Sequence, residues 1–252
     1  MRLWIDTDVG DDPDDAIALL CARAHPDVEL VGVSTVDGDL DRRVQLARAL
    51  VDAPVYRGDD PQLAASLTAA RPDAVLAIGP LTNVAALVAA ELSLPPLTLM
   101  GGVLGTVRHW GVVLDVEHNF SRDPAAAARV VAVGNPVLVP LNVTLQLRLQ
   151  PKQLDQLLKA APVLQPSVEA FLQLQHDFGL AETDRAVFLH DPLAFLTLVD
   201  PSLVRLDEHR LIVDPAGRLV ETPEGAQTRV AGSVDAETAI DRVLGLVAQA
   251  GG

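Results

Sequence analysis

Six aspartates lie within ten residues near the start of the chain, in the segment Ile5-Asp-Thr-Asp-Val-Gly-Asp-Asp-Pro-Asp-Asp-Ala16. They are Asp6, Asp8, Asp11, Asp12, Asp14 and Asp15. Like charges at this spacing repel one another, so a folded chain cannot bury them together unless a positive charge joins them. The sequence supplies neither Lys nor Arg between Arg2 and Arg23. A divalent cation is therefore indicated, and a site built from oxygen ligands alone suits Ca²⁺ or Mg²⁺ rather than Zn²⁺.

Helix capping explains only part of this acidic segment. Asp12 can cap a helix that begins at Pro13, and the two acids that follow Pro13 suit the dipole of that helix. Capping does not explain Asp6, Asp8 or Asp11. Asp6 and Asp8 are two residues apart at the end of a strand, so they leave it on the same face. The cluster is therefore interpreted as a cation site.

The acidic segment also lies where an active site is expected. Residues 3–5 form a short apolar strand, and residues 16–24 have the pattern of a helix. Further strands are predicted at 28–36, 74–78, 97–100 and 137–141, and further helices at 40–51, 83–90 and 123–131. This alternation implies parallel strands joined by crossover helices. Open sheets of this kind place their active sites at the carboxyl ends of the strands.

The rest of the chain is predicted to continue the same unit. Residues 151–200 are mainly helical in pattern, residues 204–231 carry short β-like runs, and residues 235–249 form a closing helix. No linker or internal repeat divides the sequence. We therefore predict one domain over residues 1–252, of the α/β class. It would contain an open, mostly parallel sheet flanked by helices, with a Rossmann-like core.

Composition narrows the class of partner. The net charge of −15 argues against nucleic acid or an anionic membrane, because both need a basic surface. The single cysteine, Cys21, excludes an internal disulfide and a cysteine-based zinc site. No apolar run reaches the length of a membrane span, and the N-terminus lacks the pattern of a signal peptide. We therefore predict a cytoplasmic protein.

Two other aspartate-rich motifs fit poorly. An EF-hand loop that starts at Asp6 would need Gly at its sixth position and Glu at its twelfth, where this chain has Asp11 and Ile17. A phosphatase of the haloacid-dehalogenase type also begins with Asp-x-Asp after its first strand. That family needs a downstream lysine, and the only lysines here, Lys152 and Lys159, fall in a predicted surface helix.

The acidic segment resembles the N-terminal signature of the inosine–uridine-type nucleoside hydrolases, in a longer variant with two extra residues before its final Asp-Asp-Ala. Further segments resemble family motifs in the same order: Val33–Asp39, Ile78–Asn83, Met100–Gly102, Glu117–Phe120 with Asp123-Pro124, and His190–Ala194. The resemblance spans most of the chain. It implies hydrolysis of the N-glycosidic bond of a ribonucleoside to ribose and free base, in purine or pyrimidine salvage.

The resemblance also implies a tightly held Ca²⁺ ion. Its ligands would be Asp8, Asp15, the backbone carbonyl of Ile78, and Asp191, with ribose hydroxyls and one water completing the shell. Ca²⁺ takes roughly six to eight oxygen ligands, so a shell shared between protein and sugar suits it. Asp8 is our candidate for the base that accepts a proton from the attacking water.

The same resemblance assigns residues to the substrate. Asp14 would bind the 2′-hydroxyl, and Glu117 and Asn119 would hold the 5′- and 3′-hydroxyls, so that the sugar is oriented for attack at C1′. His190 is the candidate for protonating the leaving base, because imidazole titrates near neutral pH. The alternative for His190 is a structural histidine at a helix start.

Three further side chains are candidates to line the base pocket. They are His118, His176 and Trp110, since an aromatic or imidazole face suits a nucleobase. Each could instead have a purely structural place.

Four positions depart from the usual family pattern, and one of them is Val9, which replaces a frequent Pro. Asp39 stands where the family usually has Asn, near the water and the sugar, and we count it as substrate-binding. Gly111 replaces an Asn that commonly contacts the 5′ end of the sugar, and His118 replaces a Phe. A second hypothesis follows, in which the chain binds ribose or a nucleoside without catalysis. By analogy with the family we expect a homodimer or homotetramer.

Overall fold

The computed structural model describes residues 1–133 and 135–251. In chain order its strands are β1 (Arg2–Thr7), β2 (Glu29–Thr35), β3 (Val55–Arg57), β4 (Ala74–Ala77), β5 (Leu97–Met100), β6 (Val107–His109), β7 (Val112–Leu114), β8 (Val137–Val139), β9 (Val204–Val213), β10 (Leu219–Glu221) and β11 (Ala226–Val234). Its helices are α1 (Pro13–Ala24), α2 (Leu40–Leu50), α3 (Leu63–Ala70), α4 (Thr82–Ala89), α5 (His118–Arg122), α6 (Pro124–Ala132), α7 (Leu141–Thr144), α8 (Pro151–Ala160), α9 (Gln165–Asp177), α10 (His190–Val199) and α11 (Ala236–Ala250).

Nine of the strands in the described residues form one sheet, in the order β10-β9-β11-β8-β5-β4-β1-β2-β3. All neighbours from β11 to β3 pair in parallel, and β9 and β10 add an antiparallel edge. Helices cover both faces, because the short parallel strands are apolar on both sides and must be buried on both. The predicted α/β class with an open, mostly parallel sheet is confirmed.

The sheet places the ends of β1, β4 and β5 side by side. These three strands are neighbours at the centre of the sheet and run parallel, so the residues that follow them emerge at one edge. Asp8 comes directly after β1 and Ile78 directly after β4. Residues far apart in sequence therefore meet at the carboxyl end of the sheet.

The apolar pattern indicates that helix α1 starts at residue 16. In the structure it begins at Pro13. Asp12 is its N-cap and accepts a hydrogen bond from the backbone N–H of Asp14, and Pro13 occupies the first helical position. The capping interpretation of Asp12 is thus correct. Small and aliphatic side chains keep α1 almost wholly buried, packed against both α10 and α11. This burial fixes the direction in which its first turn points.

The sequence missed several short or long-range elements. Strand β3, helix α3 and the hairpin of β6 and β7 are too short to give a clear periodic pattern. The β-like runs at 204–231 fall in the short strand β10 and in two long strands, β9 and β11, that pair antiparallel from Val204↔Val234 to Leu211↔Ala226. They extend the sheet as its antiparallel edge.

The hairpin of β6 and β7 stands apart from the main sheet. Its two-residue turn consists of Trp110 and Gly111, with φ values of +49° and +78°. Positive φ at both positions gives the primed turn whose twist matches a two-stranded hairpin. Glycine adopts it freely, but a residue as bulky as Trp110 rarely does. The backbone conformation of the turn therefore explains why position 111 is a glycine.

Trp4 is the largest side chain buried in the sheet. It is 1% exposed, stacks on Tyr56 with ring centroids 5.2 Å apart, and donates its indole N–H to Ser34 Oγ at 3.0 Å. Gly32 on the neighbouring strand leaves room for it, because a Cβ there would lie 2.3 Å from the Trp4 ring. Trp4 therefore ties β1 to β2 and β3.

We expect Trp4→Ala to lower the free energy of unfolding by about 3–5 kcal/mol, because it removes a large buried ring and leaves a cavity. Urea unfolding followed by circular dichroism measures this loss. Ile212→Ala, at a side chain that is 44% exposed, serves as the control and should change stability by less than about 0.5 kcal/mol. Equal effects of the two substitutions would contradict the packing role of Trp4.

Candidate active site

A cavity of about 420 Å³ opens at the carboxyl end of the sheet. This volume lies within the range of small-molecule sites. One end is lined by carboxylates from the β1–α1 segment and from α10, and the other by rings and aliphatic side chains from the β6–β7 hairpin, α9 and the segment before α10. The cavity therefore joins a strongly acidic end to an aromatic end.

Three buried carboxylates meet at the acidic end. Asp14, Asp15 and Asp191 are 4%, 5% and 3% exposed, and one oxygen from each lies within 4.8 Å of the others. Asp14 and Asp15 come from the first turn of α1, and Asp191 comes from the first turn of α10. These oxygens could hold a metal ion, which supports the cation site predicted at the acidic segment.

Hydrogen bonds fix the three carboxylates. The hydroxyl of Thr7, at the end of β1, donates to Asp15 Oδ1. The backbone N–H of Asp191 donates to Asp14 Oδ2 at 3.3 Å, and that of Asp15 donates to Asp14 Oδ1 at 3.2 Å. The start of α10 is thereby joined to the start of α1, across 177 residues of chain.

The electrostatics of this cluster favour a cation. Burial raises the pKa of Asp14, Asp15 and Asp191 well above the usual range, and the negative charges of neighbouring aspartates raise each pKa further. Groups in this state either hold protons or share a positive charge. A hard divalent ion satisfies several of them at once.

Asp8 has a different electrostatic environment from the other three. Burial raises the pKa of Asp8 to about 6, although the guanidinium of Arg43 opposes that rise. Arg43 Nη2 lies 3.9 Å from Asp8 Oδ2 and 2.9 Å from Asp11 Oδ2, and the Arg43 side chain is 5% exposed. Asp8 thus lines the cavity between an arginine and the carboxylate cluster.

Arg43 corrects one inference drawn from the sequence. The acidic segment lacks a local basic residue, but α2 brings Arg42 and Arg43 against it through tertiary contacts. Asp11 pairs with both arginines and its side chain is 71% exposed, so this acid is accounted for without a cation. No sequence signal distinguished Arg43 from the other arginines, because its place depends on how α2 packs beside β1.

Asp6 does not contribute to the cavity. It is 2% exposed and accepts hydrogen bonds from the hydroxyl of Ser34 and from Asn83 Nδ2, the latter at 2.8 Å. Burial raises the pKa of Asp6 to about 7. This aspartate joins β1 to β2 and α4, so its place is structural.

The predicted sugar-binding side chains line the cavity and are held rigidly. Glu117 caps α5, and its oxygens accept the backbone N–H groups of Asn119 at 2.8 Å and Gly102 at 3.1 Å. Asn119 Nδ2 donates to the carbonyl of Ile78 at 3.2 Å. A Cβ on Gly79 would lie 2.9 Å from Asp8 Oδ1, so only glycine allows this close approach.

The aromatic end contains more rings than the sequence indicated. His109 stacks on Trp110 with centroids 4.9 Å apart, and Phe188 stacks on His190 with centroids 5.6 Å apart. Phe171 lies 5.9 Å from Trp110. Of these, the sequence pointed to Trp110 and His190. His109, Phe171 and Phe188 were missed because isolated rings in loops and helices carry no sequence pattern.

The structure places some predicted residues elsewhere. Asp39 is exposed and outside the cavity lining; its carboxylate caps α2 by accepting the backbone N–H of Arg42 at 3.1 Å, so the structure does not support its predicted contact with substrate. His176 lies on the exposed face of α9, beside Asp177, and not in the cavity. His118 does line the cavity, at its exposed rim.

The lysines that a phosphatase would need are also remote from the cavity. Lys152 and Lys159 are both exposed on α8, and neither lines the cavity. Their positions therefore argue against a phosphatase, as the sequence does.

Comparison with known proteins places this architecture in a family. Residues 61–241 match the model of the inosine-uridine preferring nucleoside hydrolase family. A Schizosaccharomyces pombe protein, uncharacterized protein C1683.06c, is 30% identical over 81% of this chain and 81% of its own length. The non-specific ribonucleoside hydrolase RihC of Salmonella agona is 28% identical over 93% of this chain and 94% of its own length.

The fold agrees with that of a solved structure. The purine-preferring ribonucleoside hydrolase from Gardnerella vaginalis superposes with a TM-score of 0.84 at 24% identity, covering 100% of this chain and 99% of that one. This likeness concerns the fold. The matched family model covers most of the chain, including the cavity residues from Ile78 to Asp191. The chain belongs to the inosine-uridine preferring nucleoside hydrolase family and is a hydrolase of N-glycosidic bonds.

Proposed function

We propose that the chain hydrolyses the N-glycosidic bond of ribonucleosides, to ribose and free base, with the help of bound Ca²⁺. One observation carries this proposal: three buried carboxylates that could hold a metal ion share a single cavity with a set of aromatic rings. A polar sugar suits the acidic end of the cavity, and a planar base suits the aromatic end. The family to which the chain belongs supports the same reaction.

The residues present fit a divalent cation. Asp15, Asp191, Asp8 and the carbonyl of Ile78 are the proposed ligands, and all four residues line the cavity. Asp14, the third carboxylate of the cluster, is proposed for the sugar instead, and Asp8 joins the set as a neighbouring cavity residue. The proposed ligands offer only oxygen atoms, which suits Ca²⁺ better than a metal that prefers nitrogen or sulfur. When bound, the cation would supply a positive charge that orients the sugar hydroxyls and makes the attacking water more acidic.

The sugar is proposed to bind across the acidic end. Asp14 accepts the 2′-hydroxyl, and Glu117 and Asn119 contact the 5′- and 3′-hydroxyls. Glu117 and Asn119 are buried, and their hydrogen bonds to the backbone leave little freedom to move. A rigid set of polar partners lowers the barrier by holding C1′ where water can attack it.

Asp8 is the proposed general base. It lies in the same cavity as the carboxylate cluster, so its carboxylate is placed to accept a proton from the attacking water. Arg43 beside it keeps this carboxyl ionised more readily than its more deeply buried neighbours. The water oxygen then forms the new bond to C1′ as the glycosidic bond breaks.

The base is proposed to lie at the aromatic end. Trp110 and His118 line this part of the cavity, and the indole N–H of Trp110 is buried without a hydrogen-bond partner among the residues described. A nucleobase offers both a flat face and acceptor atoms. His190, next to Asp191, also lines the cavity, so we retain it as a catalytic residue in contact with the leaving base, and its protonation of that base stays a prediction.

Other predictions from the sequence are retained as proposals. We propose that residues 1–252 form one domain, that the protein assembles as a homodimer or homotetramer, and that it acts on small nucleosides in the cytoplasm. Within residues 1–133 and 135–251, no helix combines the length and the apolar character that a membrane crossing requires. The acidic net charge supports a small-molecule substrate rather than nucleic acid.

The first test uses a panel of common ribonucleosides with Ca²⁺ present and measures reducing-sugar release. We expect turnover by the wild type, and a fall in kcat of roughly 100- to 10,000-fold in Asp8→Asn, because the base is lost. Calorimetric titration of Ca²⁺ into the variant shows whether the metal still binds. Asp39→Asn is the control and should keep kcat close to that of the wild type.

Other outcomes of this test would count against the proposal. A rise in KM alone would remove Asp8 from the role of base. Ribose binding without any product would support the non-catalytic homologue, and phosphate release from a generic ester would support the phosphatase.

The second test concerns pH and the metal-free protein. Burial raises the pKa values of Asp6, Asp8 and Asp12 to about 7, 6 and 7, above the unfolded value. Their protonation stabilises the fold below the unfolded pKa, and this stability is lost as the pH rises through the folded pKa. We therefore expect Tm to fall between about pH 5 and about pH 8 in a chelator.

Saturating Ca²⁺ should restore much of the lost Tm at the higher pH, because the cation binds deprotonated carboxylates. Asp15→Asn removes one charge from the cluster, so its metal-free Tm should fall less over the same range, and Ca²⁺ should restore less. Differential scanning calorimetry measures all of these values. A metal-free Tm that rises with pH over this interval would contradict the electrostatic account.

A further inference from the structure

The hairpin of β6 and β7 brings a second imidazole into the cavity. His109 is the last residue of β6, directly before the turn formed by Trp110 and Gly111. It lines the same cavity as His190, and the centroids of the two rings are 6.3 Å apart. Two imidazoles therefore face the end of the cavity where the leaving base would lie.

The rings around His109 hold it in one orientation. It stacks on Trp110 at an interplanar angle of 27°, while Phe188 meets it edge-on with centroids 5.2 Å apart. The Trp110 backbone adopts a conformation that is rare for so large a residue, so this arrangement is imposed by the turn. A ring held this firmly can direct a nitrogen at a fixed point in the cavity.

The two imidazoles differ in what occupies their nitrogens. His190 Nδ1 lies 2.7 Å from the hydroxyl of Thr144, which is fully buried, and one face of the His190 ring is covered by Phe188. In the described part of the chain His109 is held by ring contacts alone. His109 is also half-buried on a surface hairpin, so solvent reaches its ring, although burial lowers the pKa of His109.

We propose that His109 is a second catalytic residue, which gives the leaving base its proton while His190 contacts that base. This inference rests on the proposed nucleoside hydrolysis and extends it. The bond from C1′ to the base nitrogen breaks, its electron pair goes to that nitrogen, and a proton from the His109 imidazolium forms the new N–H bond, which leaves His109 as neutral imidazole. The water that attacks C1′ gives a proton to Asp8, and solvent later restores both side chains.

The test compares two substrates that differ in their need for a proton. A nucleoside such as inosine or uridine has a basic leaving group that must be protonated. The anion released from 4-nitrophenyl β-D-ribofuranoside is a weak base and leaves without a proton. A general acid contributes roughly 100- to 10,000-fold, so its loss should appear on the nucleoside alone.

We expect His109→Phe, which keeps an aromatic ring for stacking, to lower kcat/KM for the nucleoside by at least about 100-fold. For the nitrophenyl riboside we expect a loss of no more than about threefold, since no proton is transferred to that leaving group. His109→Gln is the second variant, in case the hairpin does not accept Phe. His209→Phe is the matched control, because His209 lies on β9 beside Glu221, outside the cavity.

Selective loss on the nucleoside in either His109 variant supports the inference. Equal loss on both substrates shows a structural role, and no loss on either shows none; both results overturn it. Activity of the wild type on both substrates secures the proposed function independently of His109. If the wild type releases ribose from neither substrate with Ca²⁺ present, the proposed function itself fails and the inference fails with it.

Discussion

The burial of several aspartates at the junction of β1 and α1 is the constraint on which the rest of the structure depends. Asp14, Asp15 and Asp191 are nearly inaccessible to water, and their mutual repulsion opposes folding unless protons or a cation neutralise it. The fold holds them through specific donors: the Thr7 hydroxyl on Asp15, and the backbone N–H of Asp191 on Asp14. Repulsion among carboxylates would destabilise a purely structural core, but the same carboxylates would strengthen the binding of a hard cation.

The cavity separates two kinds of chemistry by building them from different parts of the chain. Its acidic end comes from residues that follow central strands or begin buried helices, so its oxygens have little freedom. Its aromatic end comes partly from the β6–β7 hairpin, which pairs only with itself in the described residues. The proposed sugar end is therefore the more rigid of the two, whereas the proposed base end lies partly on a hairpin, which tolerates substitution better than the central sheet does.

Much of the fold could be predicted from the sequence because its determinants are local. The apolar runs that became β4 and β5, and the cap and proline that start α1, depend on neighbours within a few residues. The elements that the sequence did not predict depend instead on contacts between distant segments. The pairing of β9 with β11 joins segments whose short apolar runs gave no sign of a long antiparallel ladder.

The sequence by itself determined that buried acids follow the first strand, that their oxygens suit a hard cation, and that the chain carries the motifs of a nucleoside hydrolase. The family resemblance already pointed to Asp15 and Asp191, and the tertiary structure decided which other acids lie with them: Asp14 does, whereas Asp6 and Asp39 make structural hydrogen bonds. The tertiary structure likewise decided the place of Arg43 and the set of rings around His109 and Trp110. The reason is physical: a charge or a ring acts on whatever lies within a few ångströms, and the packing of distant segments sets those distances.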